Sequence, residues 1–308
     1  MKRLNLVLAG LAVGQSALAT VAWWPGDDDG ATTVPLVDLP RESISTIRIW
    51  DGSRDEDDPL VLQKEPDGWH IDSAGGYPAD EDKVARVLDA FVDARVSNPL
   101  AESETAWASL KVADDDFARR VELSGEAGTV ELLVGPGTGR AATVRRVGDD
   151  AVYRLRGVSQ WSIGAEPRSY TDPQLVDVSA DDIESLAITG QEGGIRLQRV
   201  GETWVAPALS GDRTVDQEAV RDLLGKVVGL RLVALPDDPG AAPEAELTVS
   251  WTVDGEDGSG GYVLGPEEDG RRAVRLQGGA HTALVSAYSV KPIVEASLES
   301  LSRPASTD

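Results

Sequence analysis

The feature that most limits what this chain can fold into is an internal echo: nearly the same pattern is spelled twice. Leu36-Val37-Asp38 followed by Ile44, Ile47 and Ile49 returns as Leu175-Val176-Asp177 followed by Ile183, Leu186 and Ile188, an offset of 139 (175 minus 36). Leu62-Gln63-Lys64 with Trp69 returns as Leu197-Gln198-Arg199 with Trp204, an offset of 135 (204 minus 69). Leu133-Val134-Gly135-Pro136 returns as Val263-Leu264-Gly265-Pro266, an offset of 130 (265 minus 135). The offset shrinks where one copy has lost loop residues. A unit of about 135 residues is too long for a solenoid repeat and has the size of a small domain. Two related modules are expected, and a residue present in both reads as architecture before chemistry.

Within each copy the elements alternate in kind. Ile44, Ile47 and Ile49 belong to a first strand, and Leu60-Val61-Leu62 and Gly68-Trp69-His70-Ile71 form a hairpin around Pro66-Asp67-Gly68, where glycine tolerates the positive φ of a tight turn. Asp80 then caps a helix, with Glu81 and Asp82 favoured in its first turn by the helix dipole. Val84, Val87, Leu88, Phe91 and Val92 form one apolar stripe; Asp216 with Val220, Leu223, Leu224, Val227 and Val228 repeats it. Strands follow each helix, with Leu247, Val249, Trp251 and Val253 alternating cleanly on one face. Short segments at Val158–Ile163 and Tyr288–Ile293 are expected as single helical turns. The fold class is α+β: two tandem repeats, each a mainly antiparallel sheet with one main amphipathic helix, behind an N-terminal hydrophobic segment. The expected divisions are 1–24 (anchor or uncleaved signal), 25–35 (acidic tether), 36–166 (first repeat), 167–174 (linker), 175–301 (second repeat) and 302–308 (disordered tail).

Charge and composition exclude several function classes. The chain carries 53 acidic against 29 basic residues, a net charge of −24, which argues against a nucleic-acid partner, since phosphate binding needs a basic stripe. There is no cysteine, so disulfides, thiolate catalysis and Cys-based zinc sites are out, and two histidines cannot make a three-histidine metal site. Lys2 and Arg3 precede an uncharged run from Leu4 to Trp24, and about 20 such residues can span a bilayer. The basic flank would stay cytoplasmic, Trp23-Trp24 would sit at the interface, and the bulk would lie outside. The competing reading is a cleaved signal peptide with Ala17-Leu18-Ala19 at its cleavage site.

The order of a leading anchor, a strand ending near Gly68-Trp69, a capped helix with the Val84 to Val92 stripe, the Val134-Gly135-Pro136 hairpin and the Val152-Tyr153 strand resembles the bacterial family DUF4340, over roughly residues 36–300. The resemblance implies an exported or inner-membrane, single-pass protein with its bulk in the periplasm or otherwise outside the cytoplasm. Members are often encoded beside gliding-type ABC transporters, which implies an auxiliary role near transporter subunits; the family brings no established catalytic residues. The chain departs from the family's Tyr-Gly-Leu-x-x-Pro element, offering Trp107-Ala108-Ser109-Leu110 in the first copy and no counterpart in Pro236 to Glu246.

Residue chemistry names no enzyme. Gly135-Pro136-Gly137-Thr138-Gly139 is followed by a strand rather than a helix, so it reads as a hairpin turn and not a phosphate cradle. The acidic runs Asp27 to Asp29, Asp51 to Asp58 and Asp254 to Asp257 fail the EF-hand pattern, since a loop starting at Asp51 would need glycine at Glu56 and glutamate at Leu62. His70 is expected to be solvent-exposed, and His281 has no matching histidine. No catalytic, cofactor-binding or metal residue is assigned. Trp69 and Trp204 match across the copies and read as core anchors. Trp50, Trp107 and Trp161 lack tryptophan counterparts and are the candidate partner contacts. The expectation is a non-enzymatic, membrane-anchored envelope protein, accessory or scaffold to an ABC-type transport complex; the alternatives are an extracytoplasmic glycan- or peptide-binding module and a carboxylate-dependent hydrolase.

Overall fold

A computed structural model describes residues 33–54, 58–137, 139–190, 193–253 and 258–305. The expected anchor at 1–24, most of the acidic tether, Asp254 to Asp257 and residues 306–308 lie outside the described residues. Among those described, no helix is long and apolar enough to cross a membrane.

The first half runs β1 (Val34–Pro35), β2 (Ile44–Asp51), β3 (Leu60–Glu65), β4 (Gly68–Ile71), β5 (Tyr77–Pro78), helix α1 (Glu81–Phe91) and β6 (Arg95–Val96). Helix α2 (Glu104–Leu110), β7 (Val112–Ala113), β8 (Asp116–Phe117), β9 (Arg119–Gly125), β10 (Gly128–Val134), β11 (Ala141–Arg146) and β12 (Val152–Arg156) complete it. The second half runs β13 (Ile183–Gly190), β14 (Gly193–Val200), β15 (Thr203–Val205), β16 (Arg213–Val215), α3 (Gln217–Val228) and β17 (Leu232–Ala234). It closes with β18 (Leu247–Val253), β19 (Gly260–Glu268), β20 (Arg271–Leu276), β21 (Thr282–Ser286), α4 (Ala287–Val294) and β22 (Ser302–Pro304).

Two eight-stranded antiparallel sheets carry these elements, in the orders β12-β11-β10-β9-β2-β3-β4-β5 and β15-β14-β13-β18-β19-β20-β21-β17. Read from opposite ends, seven strands correspond, with β2 and β13 both central. The eighth differs: β5 extends the first sheet beside β4, whereas β17 covers the far edge of the second sheet at β21. Each sheet packs one face on its own core. In the first, Val84, Val87, Leu88 and Phe91 of α1 meet Ile47, Ile49, Leu62 and Leu123. In the second, Val220, Leu223, Leu224 and Val227 of α3 meet Leu186, Ile188, Leu197 and Val249. The cores stay distinct because each helix has one apolar stripe and one sheet face to bury it against.

The helices are also pinned alike. Asp80 accepts the Lys83 N–H, and Asp216 accepts those of Glu218 and Ala219. At the first helical position Glu81 accepts the Trp69 N–H (2.8 Å) and Gln217 accepts that of Trp204 (2.7 Å), so each helix start is tied to the strand bearing the buried tryptophan. Leu36 N–H donates to Ala94 O and Leu175 N–H to Leu230 O, binding the chain's entry into each half to the segment that follows the helix. Trp69 and Trp204 are 5% and 9% exposed.

Three expectations need correction. The tail expected to be disordered from residue 302 begins as β22, because Ser302–Pro304 finds an open partner in Arg213–Val215 and Arg213 donates to both Ser302 Oγ and Ser302 O. Val158–Ile163 is a turn rather than a helical one: Ser159 and Ser162 exchange hydroxyl–amide bonds, which compete with helical bonding. His70 is not solvent-exposed, because its Nδ1 lies 3.0 Å from Gly76 O and its Nε2 3.1 Å from Asp67, and these bonds hold the ring down with its side chain 13% exposed. Residues 167–174, the expected linker, are tied down on both sides: Tyr170 is buried in the first core and its carbonyl accepts the Asp80 N–H, while Pro173 O accepts that of Leu232.

Candidate functional site

The most prominent concavity is a cleft of about 1100 Å³ in the first half, between α1, β6, the turn at Gly157–Gly164 and the open edge of β12. Its walls follow from the local sequence. Helix α1 turns its apolar stripe to the sheet, which leaves Arg86, Asp89 and Asp93 on the cleft side. Ser97-Asn98-Pro99, with Asn98 at φ 51°, then carries the chain away from the sheet edge until Leu100 and Ala101 meet Val152. Arg119 Nε donates to Ile163 O (3.1 Å) and holds the opposite wall.

The charge of this cleft runs against that of the whole chain. Arg86, Arg95, Arg140, Arg154 and Arg156 border it, and among the described residues none of the five has an ion-pair or side-chain hydrogen-bond partner. The two carboxylates on its rim, Asp89 and Asp93, are both engaged by Arg41 from outside. Lys83 donates to Thr171 O (2.6 Å). In a protein with 53 acidic residues, five arginines without such a partner among the described residues give this concavity a local excess of positive charge. At its floor Tyr170 is 2% exposed with a hydroxyl that finds no hydrogen-bond partner, and burial pushes its phenol well above the ordinary range. A buried polar group left unpaired costs about 1–3 kcal/mol, so such groups mark places where something else is accommodated.

The structure separates the three candidate tryptophans. Trp50 and Trp107 join one small apolar cluster with Val112, Phe117, Leu133 and Val152 on the other face of the first sheet. There the Arg145 guanidinium lies 4.1 Å from the Trp107 ring centroid, the Trp107 indole donates to Asp150 O (2.9 Å), and Arg120 covers Trp50 at 5.2 Å. Trp161 alone stands out, 81% exposed, on the cleft wall. Glu65, Asp67 and His70 bring one ligand-type atom each within 4.8 Å of one another, but the two acids are surface groups and the imidazole is already bonded on both nitrogens.

Sequence reasoning found Trp161 and missed the arginines. They are scattered from 86 to 156, and each alone is an ordinary surface residue. The one local signal was the Arg154-x-Arg156 alternation in a strand, where a paired edge would carry apolar or neutral residues. A family model described as a domain of unknown function, DUF4340, matches residues 69–249. No curated protein and no solved structure matches the chain.

Proposed function

The chain belongs to the DUF4340 family, and from that premise we propose that it is a non-enzymatic, membrane-anchored envelope protein serving as accessory or scaffold component of an ABC-type transport complex. The observation that carries this reading is the arginine-bordered cleft: its shape and charge suit a partner, and among the described residues its arginines have no internal ion pair. The fold is read as two tandem repeats from a duplication, each with one amphipathic helix, behind the hydrophobic segment at 1–24. Supporting that are the sequence offsets, the shared order of seven strands and the matched helix pins. The first repeat would carry the partner site, and the leading segment would hold it at the inner membrane with its bulk outside the cytoplasm. Pull-down from solubilised membranes tests the reading: transporter subunits should be retained by the full chain and lost with Arg86→Glu/Arg95→Glu. Absence of any such subunit from the wild-type pull-down overturns it.

Trp161 favours a second reading, an extracytoplasmic glycan- or peptide-binding module, because an indole 81% exposed beside a cleft is suited to stacking. Tryptophan fluorescence should then respond to an envelope polysaccharide or peptide, and the response should vanish in Trp161→Ala. A flat titration across a broad panel removes it.

A further inference from the structure

We propose that the open edge of β12 takes up an extended, acidic peptide segment of a partner protein as an added antiparallel strand. This rests on the cleft being a partner site and specifies which chemistry fits it.

The backbone comes first. Val152 gives its N–H to Ala101 O (2.9 Å) and receives the Leu100 N–H on its carbonyl (2.7 Å), so both groups point away from β11. In an antiparallel ladder this direction recurs every second residue, which aims the N–H and C=O of Arg154 and Arg156 the same way. Among the described residues β12 has β11 as its one strand neighbour, so those four groups have no strand to pair with. The second sheet shows what belongs there. Its corresponding edge, β21, is covered by β17 through Leu232↔Val285 and Ala234↔Leu284. At the offset of 130 (282 minus 152), Leu284 and Val285 stand where Arg154 and Leu155 stand in the first sheet. In both halves the segment after the helix first pairs with the chain entering that half (Pro35↔Arg95, Gln174↔Arg231), but in the first half it then loops out through Pro99, which has no N–H to offer, where Leu232–Ala234 stays on the edge. The cleft is the space that the counterpart of β17 would fill.

The side chains decide what that strand carries. Arg154 and Arg156 share one face of β12, Arg86 and Arg95 stand on the opposite wall, and Arg140 lies just before β11. Carboxylates on one face of an incoming strand would form charge-assisted bonds with Arg154 and Arg156, which share the face of Val152, and carboxylates on its other face with the arginines on the α1 side, while its main chain completes the ladder. Arginines on an edge also deter self-pairing of sheets. That accounts for Arg154 and Arg156 but leaves Arg86, Arg95 and Arg140, which are not on the edge, without a role. A purely anionic ligand such as a lipid headgroup would use the arginines and leave the backbone groups unmet.

The full-length chain in neutral detergent is titrated with a capped, fluorescent peptide of alternating Val and Glu. Saturable binding is expected, weakened about tenfold or more in Arg154→Glu/Arg156→Glu and in the milder Arg154→Gln/Arg156→Gln. Amide exchange at Arg154 and Arg156 should slow on binding, and the same peptide N-methylated at alternate residues should not bind. No binding, equal binding of the N-methylated peptide, or binding of phosphatidylglycerol vesicles in place of the peptide each overturns strand addition. Retention of transporter subunits in the pull-down while the peptide fails leaves the partner reading standing and rejects only this inference; failure of both rejects both.

Discussion

The two sheets share seven strands in one order, and they differ most at the edge that β17 covers in the second. In the second sheet Leu232 is 8% exposed and β17 closes the edge over Leu284 and Val285. In the first the matching edge offers Arg154 and Arg156 to an open cleft. A sheet edge is a liability unless it is covered or charged; one half covers it and the other charges it. The same contrast shows in the arginines at matched positions of β11 and β20. Arg145 and Arg275 each reach out of the sheet to carbonyls of the segment between the main helix and the next long strand: Arg145 to Val112 O of β7 (2.8 Å), Arg275 to Gly240 O (2.5 Å). Only Arg145 is also stacked on a tryptophan. What the halves hold in common keeps the fold, and the arginine-bordered cleft sits where they part.

The largest effects should come from the cores and test whether the halves are separate units. Phe91 and Val227 occupy matching positions on α1 and α3 and are both fully buried. Phe91→Ala should cost about 3–5 kcal/mol, and Val227→Ala less, about 2 kcal/mol, because fewer buried carbons are removed. In urea unfolding followed by amide exchange, each substitution should lower protection in its own sheet first. If Phe91→Ala lowers both sheets together, the comparison fails and the halves form one cooperative unit; Tyr77, whose ring lies 5.5 Å from that of His281, is the contact to blame. Next in size, Arg145→Lys should cost about 2 kcal/mol and more than Arg275→Lys, since lysine loses both the stacked plane and the fixed fork of donors. Equal losses in thermal unfolding would mean that the Trp107 stack contributes nothing.

Much of this fold was legible in the sequence, for identifiable reasons. Asp80 and Asp216 announced both helices because capping and a 3.6-residue apolar period depend on neighbours along the chain. The hairpin at Asp67-Gly68 was legible for the same reason: Gly68 sits at φ 135°. The duplication pattern gave the succession of strands and main helix in the second half once the first was read. What stayed hidden depends on distance in space. Nothing near Ser302 says that Arg213 waits for it, and nothing in Ser97-Asn98-Pro99 says that the chain will leave the β12 edge where Leu232–Ala234 stays on β21. The cleft is a consequence of that departure, so its five arginines could not be grouped from their positions alone. Trp107 was offered as a contact because it lacks a counterpart, but Arg145 sits on its ring and Asp150 takes its indole N–H.

Capping should separate the halves on a smaller scale. Asp216 accepts two amide N–H groups and Asp80 one, so Asp216→Ala should cost about 1–2 kcal/mol and Asp80→Ala about 1 kcal/mol. Circular dichroism of the two variants through thermal unfolding gives the order; since each cap residue also donates its own N–H to a carbonyl outside the helix, Asp80 to Tyr170 O and Asp216 to Leu301 O, the reverse order would show that the second Asp216 bond adds nothing.

The smallest effect distinguishes the halves by pH. His70 has no counterpart, since Val205 stands at its place beside Trp204. The bond to Gly76 O raises its pKa above the ordinary 6.5, against the opposing pull of burial, with Asp67 adding to the rise. A group whose folded pKa lies above its unfolded value stabilises fully below the unfolded value and loses that contribution as pH climbs through the folded one. The first sheet should therefore lose a little stability between about pH 6.5 and the raised His70 midpoint, while the second sheet shows no matching loss from this position. His70→Gln should remove that pH dependence and leave the rest of the profile in place. Proton NMR of the imidazole gives the midpoint directly: a value at or below 6.5 would show that the Gly76 bond does not hold the ring, and the hairpin β3–β4 would lose its assigned pH response.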